Sequence, residues 1–320
     1  MNDRLPPGPI TLSIAAVERD TGLSKDTLRV WERRYGFPTP ARDDLGERAY
    51  TLDQVEKLRL VKKLLDAGHR PGRIVPMSLA ELQTLSESTV DVVRRGAPVP
   101  RRDLELRRVL DLLRSHDRAG LRAELARQLY GLGLQRFVVE VVSPLTTAVG
   151  DAWLRGQLEI FEEHLFTETL VRVLHQALSA LPEAPPSASP CVVLTTFPGE
   201  PHGLGLLMAE AMLAQDGCRC ISLGVQTPLW NVVLAAEAVN ADVVALGFTG
   251  CLNPNQIVDA LTELRAKLPP RVAVWAGGNV PVLVRRRVEG VLPIPSIEDV
   301  GPELQRLREA LRALSGVAAA

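Results

Sequence analysis

Histidine and cysteine are scarce in this 320-residue chain, with five and four residues. No uninterrupted apolar run approaches the roughly 20 residues of a membrane span, so no membrane partner is expected. The first residues, MNDRLPPGPI, lack the apolar segment of a secretory signal, and a cytoplasmic location is expected. Cys191, Cys218, Cys220 and Cys251 sit in or beside apolar strand-like runs. That suits reduced, packed thiols better than a disulfide framework. Cys218 and Cys220 alternate along one such run, with no other ligands of metal spacing nearby. There is no G-x-S-x-G nucleophile elbow and no internal repeat. Net charge is also small, −1, but unevenly spread: residues 1–75 carry 14 Lys/Arg against 11 Asp/Glu, leaving the remainder net negative. A basic first module on an acidic body points to a polyanion partner for that module.

What is present falls into three blocks. In residues 1–85, LSIAAVERDTGLSKDTLRVWERRYG reads as a helix, a turn at Thr21-Gly22 and a second helix capped by Ser24. A serine there satisfies free amide donors of the first turn. FPTPARDDLGERAY reads as a loop, and a further helix begins after Thr51 and stops at Gly68. Residues 86–102 are polar and proline-containing and read as a linker. Residues 103–181 show four runs of helical period with short breaks, a bundle. PEAPPSASP, residues 182–190, is a second linker. In residues 191–320 the runs CVVLTTF, CRCISLG, DVVALGF, VAVWAGG and GVLPI alternate with helical stretches. Such alternation predicts a doubly wound parallel sheet. The fold class is therefore a multidomain α plus α/β protein.

Ligands of such sheets sit beyond the carboxyl ends of the strands, and His202 lies just past the first. It is flanked by Gly199, Gly203 and Gly205. Three roles are open to it. It can be a surface-turn histidine. It can be a general base, although the sequence offers no nucleophile elbow. It can be a metal ligand whose tautomer is fixed by the Glu200 carboxylate, with Gly205 admitting a bulky ligand.

Glu200-x-His202-x-x-Gly205 after a first strand resembles the Asp/Glu-x-His-x-x-Gly motif of cobalamin-binding Rossmann domains. The resemblance implies that His202 is the lower axial ligand of cobalt, displacing the cofactor's nucleotide tail into the sheet. Small residues would line that tail: Gly247, Thr249 and Gly250 after the third strand, Gly277 and Gly278 after the fourth. The family's Ser-x-Leu element reads Gly247-Phe248-Thr249 here, so Thr249 would supply the hydroxyl.

In the bundle, Trp153 is followed after nine residues by Glu163-His164. These can be a core tryptophan and a solvated helix face. The spacing resembles the adenosylcobalamin photoreceptor regulators of the CarH/LitR type, in which the bundle caps the corrin. That resemblance implies that Trp153, Glu163 and His164 surround the adenosyl group, an apolar wall with polar edges. In the photoreceptors a histidine follows the tryptophan and captures cobalt after illumination. Here the position is Leu154, which has no donor atom. His164 and His175 are the conceivable substitutes.

SKDTLRVWERRYGFPTPARDDLGERAY resembles the winged helix-turn-helix of MerR regulators, over Leu12 to about Ile74. The resemblance implies that Lys25, Thr27, Arg29 and Arg33 face the major groove, where arginine can pair with guanine. Arg42, Arg48 and Tyr50 in the wing would hold phosphates, which position without specifying. Each arginine can equally be a solvated residue or pair with Asp26, Glu32 or Glu47. Trp31, Tyr35 and Leu28 are expected to pack the helix. No cysteine pair follows this block, which excludes the metal-sensing arrangement of some MerR proteins.

The order of DNA reader, cap and cobalamin domain implies a transcription regulator, not an enzyme. It would bind operator DNA as an adenosylcobalamin-loaded homo-oligomer, a dimer or tetramer, and release it when light breaks the cobalt–carbon bond. The alternatives are a regulator that senses cobalamin without light or is indifferent to it, one answering only a partner protein, and a corrinoid-dependent methyl-carrier enzyme subunit.

Overall fold

The computed structural model describes residues 11–43, 46–66, 69–91, 101–154 and 157–318. By contact density the chain divides into two compact units, one essentially N-terminal and one holding the bundle and the large sheet together.

The N-terminal unit opens with strand β1 (Thr11–Ser13), helices α1 (Ile14–Thr21) and α2 (Lys25–Tyr35), and strands β2 (Ala41–Arg42) and β3 (Arg48–Thr51). Ser24 accepts from the Thr27 amide at 3.2 Å and caps α2. Gly22, at φ +68°, closes α1 in the left-handed conformation that glycine adopts without steric cost. β3 is the centre of the antiparallel order β1-β3-β2, and the wing pairs Arg42 with Arg48. Thr51 accepts from the Gln54 amide at the start of helix α3 (Leu52–Asp66). Gly68, expected to stop this helix, lies outside the described residues. Helices α4 (Pro71–Ile74) and α5 (Leu79–Asp91) follow. Leu28, Trp31, Tyr50, Leu58 and Ile74 share one buried core. The linker expected from residue 86 thus begins as helix. LAELQTLSESTVD contains no glycine or proline to stop α5 before Asp91.

The bundle consists of α6 (Arg101–Arg114), α7 (Arg118–Leu132), α8 (Leu134–Phe137), α9 (Ser143–Leu154) and α10 (Ile160–Ser179). α8 and α9 are joined by a π-helical turn, Val138–Val142, in which the Ser143 amide reaches back to Val138 O. Pro144 follows at once. It has no N–H to donate, and a widened turn before it accommodates that loss.

The sheet comprises β4 (Cys191–Thr195), β5 (Arg219–Ser222), β6 (Val243–Gly247), β7 (Ala273–Gly277) and β8 (Val291–Ile294), all parallel, in the order β5-β4-β6-β7-β8. Helices α11 (Leu204–Gln215), α12 (Leu229–Ala238), α13 (Pro254–Lys267), α14 (Pro281–Arg285) and α15 (Val300–Ala318) cover it. Strand residues alternate between two cores. Val192, Leu194, Val243 and Trp275 face one; Val193, Val244, Leu246 and Val274 face the other. The first core continues through α11 into the bundle, joining Leu207 and Ala211 to Phe166, Leu170 and Val142. Strand order reverses between β4 and β6, which opens a crevice at their carboxyl ends. Among the described residues no helix is long and apolar enough to cross a membrane.

Candidate functional site

The loop leaving β4 and the loop leaving β6 meet at that crevice. Glu200 has no exposed surface. It is held ionised by donors from both loops. Its Oε2 accepts the Thr249 amide at 2.8 Å, and Thr249 Oγ1 lies 2.8 Å from Oε1 and 3.0 Å from Oε2. Oε1 also lies 2.8 Å from His202 Nδ1. Burial pushes this carboxyl up, but the hydrogen bonds from His202 and Thr249 outweigh it and hold it below the ordinary carboxylate value. The His202 side chain is half exposed. With Nδ1 turned to Glu200, Nε2 has no hydrogen-bond partner among the described residues. A metal at Nε2 must displace the proton there, and the proton kept at Nδ1 by Glu200 then leaves the Nε2 lone pair to the metal.

A cavity of about 870 Å³, counting its open mouth, runs from His202 along the sheet edge. Gly205, Gly247, Thr249, Trp275, Gly277 and Gly278 line it, with Ser143 from the bundle. A Cβ at Gly205 would enter open space, so this glycine keeps the wall low. A Cβ at Gly247 would stand 3.0 Å from Leu206 Cγ, and one at Gly278 would collide with the Phe248 carbonyl oxygen. Gly278 also has φ +127°, which side chains avoid. A cavity with these small residues along it fits an extended, flat-edged ligand tail beside His202. Thr249 joins the cavity, but its hydroxyl proton goes to Glu200. To a ligand it offers acceptor lone pairs only.

Cys251 joins this group, which sequence reasoning missed. Its Sγ lies 3.5 Å from His202 Nδ1 and from Thr249 Oγ1. The expectation of four packed thiols is corrected here: Cys191 and Cys218 are buried, but Cys251 is exposed. It lies past β6, in the loop that leads to α13, where no strand neighbour covers it. Burial pushes the Cys218 thiol up to about 11. Cys251 is drawn below its ordinary value by His202, and His202 is raised to about 10 by Cys251 first and Glu200 second.

On the bundle, Trp153 is half-buried against the shared core. Glu163 Oε2 lies 2.7 Å from His164 Nδ1, and its Oε1 accepts from Thr167 Oγ1 at 2.8 Å. No hydrogen bond links these three residues to the His202 group among the described residues. His175 is exposed.

In the N-terminal unit, Lys25, Arg29 and Arg33 recur every four residues along α2, opposite the buried Leu28 and Trp31. Lys25 Nζ lies 3.6 Å from Glu18, and Arg29 Nη1 donates to Asp26 at 3.1 Å. Thr27 Oγ1 lies 2.8 Å from Ser24 Oγ. Arg33 is exposed, with no partner among the described residues. Arg42 is exposed and donates to Gly46 O at 2.7 Å; Arg48 Nε donates to Glu32 at 2.8 Å. Tyr50 does not face solvent. It is fully buried, and its hydroxyl has no partner among the described residues. β3 is the central strand, and its Tyr50 side chain packs into the helical core, out of reach of a phosphate.

A helix-turn-helix unit and a glycine-edged cavity beside a carboxylate-held histidine define a ligand-responsive transcription regulator. Residues 12–81 match the family described as MerR HTH family regulatory protein, and residues 105–178 and 190–293 match B12 binding domains. The HTH-type transcriptional repressor CarH of Myxococcus xanthus is 32% identical over 263 residues, 80% of this chain and 85% of the repressor. The HTH-type transcriptional repressor CarA of the same organism is 31% identical over 275 residues, 84% and 88% of the two chains. The chain belongs to this family of MerR-type regulators with B12-binding domains. A methionine synthase of Mycobacterium leprae (strain TN) is 30% identical over 104 residues, but these are 8% of the enzyme. The methyl-carrier enzyme reading is therefore set aside: the relatives matched over most of their own length are regulators, whereas the methionine synthases are matched over 8% and 18% of theirs.

Proposed function

We propose that this chain is a cytoplasmic, cobalamin-dependent repressor, active as an adenosylcobalamin-bound homo-oligomer on double-stranded operator DNA. The observation that carries the reading is the Thr249–Glu200–His202 chain of hydrogen bonds, which leaves Nε2 open at a glycine-edged cavity. The domain limits 103–181 and 191–320 belong to the same proposal, with the first domain carried from the expected residue 85 to the end of α5 at Asp91.

Adenosylcobalamin, when bound, supplies a cobalt–carbon bond that light can break. His202 would hold cobalt from below, and Gly247, Gly277 and Gly278 would make room for the nucleotide tail. Trp153, Glu163 and His164 would surround the adenosyl group. Lys25, Thr27, Arg29 and Arg33 would face the major groove, with Arg42 and Arg48 on phosphates; Tyr50 would only support them. The coupling between cofactor and DNA requires that the cofactor bind two states of the protein with different affinity.

A second reading rests on Leu154, which ends α9 directly after Trp153. A leucine cannot take the cobalt position left by the adenosyl group, which favours a regulator that senses cobalamin without light. One spectrum separates the two. Protein loaded with adenosylcobalamin in the dark and washed free of excess should retain a corrin absorbance. A change under green light that differs from that of free cofactor supports the photoreceptor; an unchanged spectrum supports the light-independent sensor. No retained corrin overturns both.

A further inference from the structure

We propose that Glu200, His202 and Cys251 form a binding site for one zinc-class divalent ion, and that this ion and a corrin exclude one another at His202. The second half rests on the cobalamin reading; the site itself does not.

Carboxylate oxygen, imidazole nitrogen and thiolate sulfur are the three donor types that zinc prefers. Here one of each lies within 4.8 Å of the others. Cys251 Sγ stands 3.5 Å from His202 Nδ1, which matches the ~3.5 Å between sulfur and nitrogen ligands expected of tetrahedral zinc from its usual bond lengths. The Glu200–His202 separation of 2.8 Å would widen to about 3.3 Å by the same geometry. The half-exposed His202 can make that small shift. The carboxylate is already oriented, because the Thr249 amide and hydroxyl hold its Oε2. Metal-binding carboxylates generally have such supporting partners. Glu200 is buried whereas Cys251 is exposed, so the fourth position opens to water.

Exclusion follows from the ring. A neutral imidazole carries one proton and one lone pair. With zinc on Nδ1 the proton resides on Nε2, and that nitrogen has nothing to donate to cobalt. The thiol releases its proton to solvent as the thiolate takes the ion. No redox step is involved. The chain would thus hold zinc when corrin is absent and lose it when corrin arrives.

Zinc titration of the full, untagged, corrinoid-free chain by calorimetry tests the site. One equivalent is expected to bind, at least tenfold more weakly in Cys251→Ala and with its heat dependent on the buffer's ionisation enthalpy. No binding, or equal binding by Cys251→Ala, overturns the site. For the exclusion, adenosylcobalamin uptake is followed by absorbance with and without one equivalent of zinc. Zinc should weaken uptake at least tenfold in the wild type and leave Cys251→Ala unaffected. Zinc bound without effect on uptake overturns the exclusion. Uptake by neither protein overturns the cobalamin reading and, with it, the exclusion; the zinc isotherms still decide the site.

Discussion

Glu200 is the residue through which both loops act. Its carboxylate is buried, ionised and shared among an imidazole, a hydroxyl and an amide. Glu200→Gln keeps the shape and removes the charge that favours a proton at Nδ1. Changes in such supporting partners cost roughly 10–100-fold in metal affinity. Adenosylcobalamin affinity should fall by about that factor in equilibrium dialysis, with far-ultraviolet circular dichroism unchanged. Undiminished affinity would mean that Glu200 does not orient His202. This pair was legible in the sequence because Glu-x-His follows a strand directly. Cys251 was not, since it lies 49 positions beyond His202 and only the parallel pairing of β4 with β6 brings their loops together. Tyr50 was misread for a similar reason: Arg48-x-Tyr50 gives the strand's alternation but not its central place in the sheet.

At the level of elements, the strands were the most legible part. Short apolar runs marked all five strands of the large sheet; the central β4, β6 and β7 are covered on both faces and almost wholly apolar, whereas the edge strands β5 and β8 are partly exposed and β5 carries Arg219 and Ser222. Helix ends were less so. α5 runs past the expected boundary because Ser, Glu and Thr weaken a helix without ending it. The end of β7 is where an element's geometry meets ligand binding. Gly278 there has φ +127°, and its missing Cβ leaves room for the Phe248 carbonyl. Gly278→Ala must move the loop after β6, which carries Thr249 and Cys251. A melting temperature several degrees lower, together with loss of corrin retention, is the expected outcome, by thermal denaturation and absorbance. The same change at Gly205, where a Cβ meets open space, should leave stability within about 0.5 kcal/mol, the usual range for substitutions away from packed features. It would narrow only the cavity.

For the whole molecule, the proposal ties DNA affinity to the number of readers held together. A single helix-turn-helix binds weakly, and linking several raises affinity by about 10²–10⁴ without new contacts. Light scattering of the adenosylcobalamin-loaded protein should give a dimer or tetramer in the dark and a smaller mass after green light, with operator binding falling in parallel. A mass that stays constant while operator binding falls would sever assembly from control. The continuous core beneath the bundle and the sheet has a consequence for cleavage. Residues 182–190, between α10 and β4, are mostly exposed, so a protease can sever the backbone there. The two fragments would nonetheless stay together, because separating them would bare Phe166, Leu170 and Ala211 to water. What the chain joins covalently in one place, its oily interior joins a second time, and the nicked protein should still migrate as one particle until it is denatured.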